Sequence, residues 1–260
     1  MYKIIDTHSH LFVEEFDADR SEVMRRAREA GVCRILMPNI DLASVDSMLQ
    51  VCEEYKDYCY PMLGLHPTEV GADYPIVLGK LKALLDEHPR TFVAIGEVGL
   101  DLYWDKTYKD AQMAALEEQI AWALEYDLPL VIHSREAFDE IYTLFCRYRD
   151  TPLRGVFHSF TGTADEAQAL LEFPGFLLGI NGVSTFKKST IPDALAHVPL
   201  TRVVVETDSP YLAPTPYRGK RNESAYIVRV VEKLAEVYGL TAESVAEQTF
   251  ANAATLFRLA

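Results

Sequence analysis

The sequence predicts an α/β fold, a (β/α)8 barrel of the TIM type with an extra C-terminal helix, and three observations carry that prediction. Eight short apolar runs recur at fairly even intervals. Segments with helical spacing lie between them. Polar, chemistry-bearing residues follow the apolar runs, at the strand ends where such a barrel places its working groups.

In order, the runs are YKII near residue 2, VCRILM at 32, CYPMLGL at 59, TFVAIG at 91, LPLVI at 128, GVFH at 155, GFLLGI at 175 and RVVVE at 202. Most are continuously apolar rather than alternating, as strands covered on both faces require. The first helical segment, residues 17–30, carries Val23, Met24 and Ala27 and stops at Gly31. Residues 41–55 show Val45, Met48, Leu49 and Cys52 on one face. Residues 74–88 align Val77, Leu78, Leu81, Leu84 and Leu85 before Pro89 ends them. Segments 109–126, 137–148, 164–172 and 190–197 follow, then 223–238 after the last strand, with Gly239 as its stop. The last helix, 242–259, has no strand after it, and Thr241 with Ser244 forms its N-cap region. A doubly wound open sheet is the competing architecture, but no glycine-rich dinucleotide fingerprint supports it. No Pro/Gly/Ser linker or low-complexity segment divides the chain, so residues 1–260 are read as one domain.

Composition narrows the function. Hydrophobic residues make up 49% and charged residues 25%, enough for a packed core. A net charge of −14 argues against coating nucleic acid through a broad basic surface. It leaves open an enzyme that meets phosphate only at bound cations. Cys33, Cys52, Cys59 and Cys146 form no CxxC pair and read as reduced thiols of a cytoplasmic protein. Asp6, His8 and His10 interrupt any N-terminal signal-like run, and no stretch reaches the roughly 18 apolar residues of a membrane helix. Nothing points to a membrane or to an obligate protein partner.

The strand ends carry the chemistry. DTHSH occupies 6–10, and His66-Pro67 follows the third run. Glu97 follows the fourth, with Asp101 just beyond. His133-Ser134-Arg135, His158 and Glu206-Thr207-Asp208 follow the fifth, sixth and eighth. A lone strand-end histidine is more often a hydrogen-bonded structural residue than a ligand. His8 and His10 say more, because residues i and i+2 of an extended strand point to the same side. His8, His10, Glu97, His133, His158 and Asp208 come from five of the eight strand ends. Imidazole with carboxylate suits divalent ions. Six such groups exceed what one ion with an open position takes, so two ions are expected, with Glu97 able to bridge them.

The motifs DTHSHL, LGLHP at 63–67, IGEVGLD at 95–101, IHSR at 132–135, FHSFTG at 157–162 and ETDSPYL at 206–212 resemble the TatD family of metal-dependent deoxyribonucleases, in the amidohydrolase superfamily. The resemblance runs from residue 6 to the NES segment at 222–224. It implies that His8 and His10 hold one ion, that Glu97 bridges, that His133 and His158 hold the second ion, and that Asp208 closes the first site beside a nucleophilic water. Two departures stand out: Ser224, where the family commonly has proline, and Ser159, where it has cysteine. The implied activity is hydrolysis of DNA phosphodiesters, as an exonuclease on single strands or frayed ends. Mg²⁺ is the activity's expected ion, with Zn²⁺, Mn²⁺ or Ni²⁺ as alternatives. The implied chemistry is a metal-activated water attacking phosphorus, with Asp208 as proton acceptor or as ligand only.

Other residues keep two readings each. His66 contacts a phosphate or leaving oxygen, or is structural. Asp101 orients a ligand histidine or fixes its loop, and Glu206 supports the site or has no role. Arg135, Lys187, Lys188, Arg218, Lys220 and Arg221 lie in loops at the same barrel end, where RGKR forms a phosphate clamp or a solvated run. Tyr103, Trp104, Phe12 and Tyr211 stack on unpaired bases or pack the rim. The alternative enzyme acts on a small cyclic amide, lactone or phosphoester. A non-catalytic metal scaffold sits poorly with the full ligand set.

Overall fold

A computed structural model describes residues 3–259, and the expected alternation of strand and helix runs through it. Tyr2, where the first apolar run begins, lies outside the described residues. Eight strands occur among those described: β1 (Ile4–Asp6), β2 (Val32–Pro38), β3 (Cys59–Met62), β4 (Ile95–Asp101), β5 (Leu130–Arg135), β6 (Gly155–Phe157), β7 (Phe176–Ile180) and β8 (Val203–Val205). The helices between and after them are α1 (Arg20–Glu29), α2 (Val45–Glu54), α3 (Tyr74–Glu87), α4 (Lys109–Tyr126), α5 (Phe138–Cys146), α6 (Ala164–Leu171), α7 (Ile191–Leu195), α8 (Ile227–Tyr238) and α9 (Ala242–Leu256).

Every strand pair is parallel, in two sheets ordered β1-β2-β3 and β4-β5-β6-β7-β8. The sheets meet at two seams made of isolated bridges, Leu63 with Ile95 and Ser9 with Ser209, rather than continuous ladders. Backbone hydrogen bonds still cross both seams. Gly96 N donates to Leu63 O at 3.0 Å, and Asp208 N donates to His8 O at 2.9 Å. The seams are sparse because the chain leaves strand geometry early at β1, β3 and β8 to present side chains at the barrel mouth.

The inward face explains the role of the last helix. Ile5, Leu36, Met62, Ala94, Val131, Val156 and Val204 form one buried cluster with Ala253, Leu256 and Phe257 at the end of α9. Two residues further along, Val131 leads to His133 and Val156 to His158, so these histidines share the inward face. The C-terminal helix therefore closes one end of the barrel and the histidines occupy the other. A separate, larger apolar cluster packs the outer strand faces against α1–α8.

Local signals account for the helix ends. Thr241 Oγ1 caps α9 by accepting from Ser244 N at 3.1 Å, and Gly239 ends α8 at φ 62°. Thr163 and Glu166 build a capping box on α6, a signal present in the sequence but not singled out there. Among the described residues, no helix is long and apolar enough to cross a membrane.

Candidate metal centre

Glu97 lies at the middle of the mouth and turns its two oxygens in different directions. Its Oε2 is 3.0 Å from His8 Nε2 and 3.7 Å from His10 Nε2. Its Oε1 is 2.8 Å from His133 Nδ1, 3.5 Å from His66 Nε2 and 3.7 Å from His158 Nε2. Asp208 closes the His8 side, with Oδ1 3.8 Å from His8 Nε2 and 3.7 Å from both His10 Nε2 and His158 Nε2. Three overlapping groups have donor atoms within 4.8 Å of one another: His8, His158 and Asp208; His8, His10 and Glu97; His66, Glu97 and His133. All six sequence-predicted ligands are thus brought together. His158 lies between the two sides, and His66 joins the Glu97–His133 side.

The outward nitrogens test whether these rings suit a metal. His10 Nδ1 faces Pro38 O at 3.2 Å, and His133 Nε2 faces Asp101 Oδ2 at 3.0 Å. His158 Nδ1 lies 2.8 Å from Glu206 Oε1, although not aligned as a linear hydrogen bond. An acceptor behind each of these three rings can hold the proton there and free the inward nitrogen for an ion, the arrangement of metal-binding histidines, while His8 Nδ1 is buried with no partner among the described residues. The donor set fits a divalent ion.

Charge balance gives the same answer. Burial alone would push Glu97 up, but His8, His66, His158 and the His133 hydrogen bond hold it well below the usual carboxylate range. Burial pushes Asp208 up to about 7, against the pull of His158. Burial would lower His133 and His158, but the hydrogen bonds that His133 donates to Asp101 and Glu97 raise it to about 9, and the charges of Glu206, Glu97 and Asp208 raise His158 to about 10. Protonated imidazoles thus stand where cations would balance the carboxylates, and ion binding has to displace those protons.

Supporting residues are fixed tightly. Asp101 faces two ways: Oδ2 lies 3.0 Å from His133 Nε2, and Oδ1 accepts from Tyr103 N at 3.1 Å. Fully buried Glu206 also accepts from Ser159 N at 2.6 Å. A Cβ at Gly179 would fall 2.4 Å from Glu206 Oε2, so glycine makes room for that carboxylate.

Sequence reasoning passed over a second layer. Buried Asp6 accepts from Thr207 N at 2.9 Å, Thr207 Oγ1 at 2.7 Å and Ser224 Oγ at 2.6 Å. Asn222 Nδ2 donates to Thr207 O at 2.8 Å and Tyr211 O at 2.7 Å. Together they hold the turn that carries Asp208, whose φ is 58°. Both lie inside quoted motifs, DTHSHL and NES, where unexplained polar residues were the available signal.

The metal-facing groups open into a cleft of about 730 Å³, lined also by His66, Trp104, Arg135 and Tyr211. The Arg135 guanidinium lies 4.0 Å over the Tyr103 ring and 5.2 Å from that of Trp104. The RGKR residues lie elsewhere. Arg221 binds Asp19 at 2.7 Å and the Glu15 carbonyl, and sits 4.5 Å over Phe16. Arg218 stacks 3.6 Å over Phe186, while Lys187, Lys188 and Lys220 are exposed. None of these five lines the cleft. Phe12 is buried beside His10, and Tyr211 is half exposed there.

The family described as TatD related DNase matches residues 5–258. The chain is 38% identical over 257 residues to the uncharacterized metal-dependent hydrolase YabD of Bacillus subtilis (strain 168), spanning 98% of this chain and 99% of that one. It is 31% identical to the 3'-5' ssDNA/RNA exonuclease TatD of Pantoea ananatis (strain LMG 20103), over 98% of this chain and 100% of the other. In structure it is similar to YJJV, a TatD homologue from Escherichia coli K12, with a TM-score of 0.92, 31% identity, and 99% and 98% of the two chains covered. A likeness to N-acetyl-D-glucosamine-6-phosphate deacetylase from Mycobacterium smegmatis, TM-score 0.62 at 15% identity, bears on fold alone. Matched from end to end in sequence and in fold, the chain belongs to the TatD family and is one of its metal-dependent hydrolases.

Proposed function

We propose that this protein is a divalent-metal-dependent deoxyribonuclease that removes nucleotides from the ends of single-stranded or frayed DNA. The observation that carries the reading is a cleft with Glu97 between two donor sets at its floor and Arg135, backed by Tyr103 and Trp104, at its wall. Similarity to a protein named as a 3'-5' ssDNA/RNA exonuclease supports it.

Two divalent ions, Mg²⁺ in activity and Zn²⁺, Mn²⁺ or Ni²⁺ as alternatives, would supply an activated water and neutralise charge growing on the phosphoryl oxygens. His8, His10 and Asp208 would hold one, His133 and His158 the other, with Glu97 between. Asp208 takes the proton of the attacking water. Arg135 attracts the phosphate chain, and Trp104 offers a face to an unpaired base. Duplex DNA would meet a chain of net charge −14, so a free end that reaches into the cleft is the better substrate. The four free cysteines accord with work in the cytoplasm.

The test is a chelator-stripped protein incubated with labelled single- and double-stranded DNA and a panel of divalent ions, beside a lactone and a phosphomonoester. Release of nucleotides from single strands, restored by Mg²⁺, is expected. Turnover of the lactone or phosphomonoester alone would replace the nuclease with the small-substrate enzyme.

A further inference from the structure

Resting on the nuclease reading, we propose that His66 acts on the substrate and not on an ion: its Nε2–H donates a hydrogen bond to a phosphoryl oxygen of the bound phosphodiester. His66 lies beyond the end of β3, where it caps the short 3-10 helix Pro67–Glu69. The cap is unusual in using a ring nitrogen. Thr68 N donates to His66 Nδ1 at 3.2 Å, and Thr68 Oγ1 lies 2.7 Å from the same nitrogen. The hydroxyl can serve in either direction, since it also reaches Glu69 Oε1 at 3.2 Å. The backbone amide can only donate. Nδ1 must therefore keep its lone pair, and the proton of the neutral ring sits on Nε2.

That assignment separates His66 from its neighbours. His10, His133 and His158 each have an acceptor behind the ring, so each can turn a lone pair toward the mouth once an ion displaces any inward proton. His66 has a donor behind it and turns an N–H toward the mouth. Proximity alone groups it with Glu97 and His133 as a metal-sized set. The tautomer removes it from that set, because a protonated nitrogen cannot ligate. Ligation through Nε2 would move the proton to Nδ1, against the Thr68 amide, and break the cap.

The position suits the role. Nε2 is 3.5 Å from Glu97 Oε1, the ring packs edge-on against His133 with centroids 4.6 Å apart, and the side chain lines the cleft. A phosphate held at the floor would therefore have His66 at its edge. A fixed N–H aimed at charge that builds on a phosphoryl oxygen stabilises the transition state without reorganising.

His66→Ala and His66→Gln, compared with the unaltered chain, test this. Glutamine keeps an N–H at similar reach but is a poor ligand for these ions. Three readouts apply: ions bound per chain, measured calorimetrically with Mn²⁺; affinity of the Mn²⁺-loaded protein for inorganic phosphate; and ¹⁵N shifts of the imidazoles in the Zn²⁺-loaded protein. The proposal expects His66→Ala to keep the full ion count, to lose about ten- to a hundredfold in phosphate affinity, and to lose single-strand cleavage in parallel. His66→Gln should recover most of both. The spectrum should show one ring, absent in His66→Ala, with Nε2 protonated and Nδ1 bare. A lost ion, unchanged phosphate affinity or a metal-shifted Nε2 would overturn it. The ion count, phosphate affinity and ring tautomer are read without DNA. If they come out as expected while no DNA is cleaved, it is the nuclease reading that fails.

Discussion

Glu206 stands directly behind His158, its Oε1 2.8 Å from His158 Nδ1 and 2.6 Å from Ser159 N. The backbone contact fixes the carboxylate, and the carboxylate fixes the ring. Glu206→Gln keeps the shape but offers His158 a neutral partner. It should weaken metal binding by roughly tenfold to a hundredfold, with the thermal midpoint of the stripped protein little changed. A calorimetric metal titration checks this, and an unaltered affinity would leave Glu206 as a structural carboxylate.

Glu97 is the carboxylate that faces both sides of the centre, Oε2 toward His8 and Oε1 toward His133. Its replacement by alanine should abolish hydrolysis and remove ions from both sides, because no other carboxylate among the described residues pairs with both His133 and His8. Asp208→Asn should leave the Glu97–His133 side able to bind while stopping turnover. Elemental analysis of the two purified variants, with circular dichroism to show that the fold persists, separates these outcomes. Full activity in both would end the mechanism.

How far the site was legible follows from which forces act locally. His8 and His10 were readable because strand alternation fixes which residues share a face. Glu97, His133, His158 and Asp208 followed from their place at strand ends. The fate of RGKR was not readable, since Arg221 meets Asp19 across most of the chain length and only the folded structure supplies that partner. The tautomer of His66 was equally hidden, because it depends on the direction of one backbone amide in the following turn. The two-seamed barrel differs from a continuous ladder for a related reason. Apolar runs reveal strands, but not how early each bends away.

The location of the basic residues changes the expected salt behaviour. Arg135 is the arginine lining the cleft, while Arg221 is spent on Asp19 and Phe16. Arg135→Ala should weaken single-strand binding and lower the slope of log affinity against log salt by about 0.7, the loss of one phosphate contact on a single strand. Arg221→Ala should leave that slope unchanged and instead cost stability. Fluorescence anisotropy over a range of salt concentrations decides, and a reduced slope in Arg221→Ala would restore the clamp.

Trp104 is 71% exposed at the cleft, although its ring meets Tyr103 edge-on and lies 5.2 Å from the Arg135 guanidinium. Stacking of one base on it is worth about 1–3 kcal/mol. Trp104→Ala should accordingly raise KM for single-stranded DNA by roughly five- to a hundredfold, and leave hydrolysis of a small phosphodiester without a base unaffected. Equal losses on both substrates would mean that the ring supports the site and not the base.

Asn222 is fully buried and spends both amide hydrogens on the turn that carries Asp208, one on Thr207 O and one on Tyr211 O. Asn222→Ala leaves the buried Thr207 carbonyl and the partly buried Tyr211 carbonyl without this donor, a loss of about 1–3 kcal/mol for the buried one and less for the other. The turn is also what keeps Asp208 at its positive φ, so the damage should not stop at stability. Binding of the first ion should weaken and kcat should fall, while KM should hold if Arg135 and Trp104 bind the substrate as proposed. Asn222→Asp is the informative companion. It is nearly isosteric, but it sets acceptors against both carbonyls and so should behave no better than alanine. Denaturant titration gives the stability term, and steady-state kinetics at saturating Mg²⁺ gives the split. A variant that loses stability alone, with kcat intact once folded, would make Asn222 a brace for the loop and free Asp208 from depending on it.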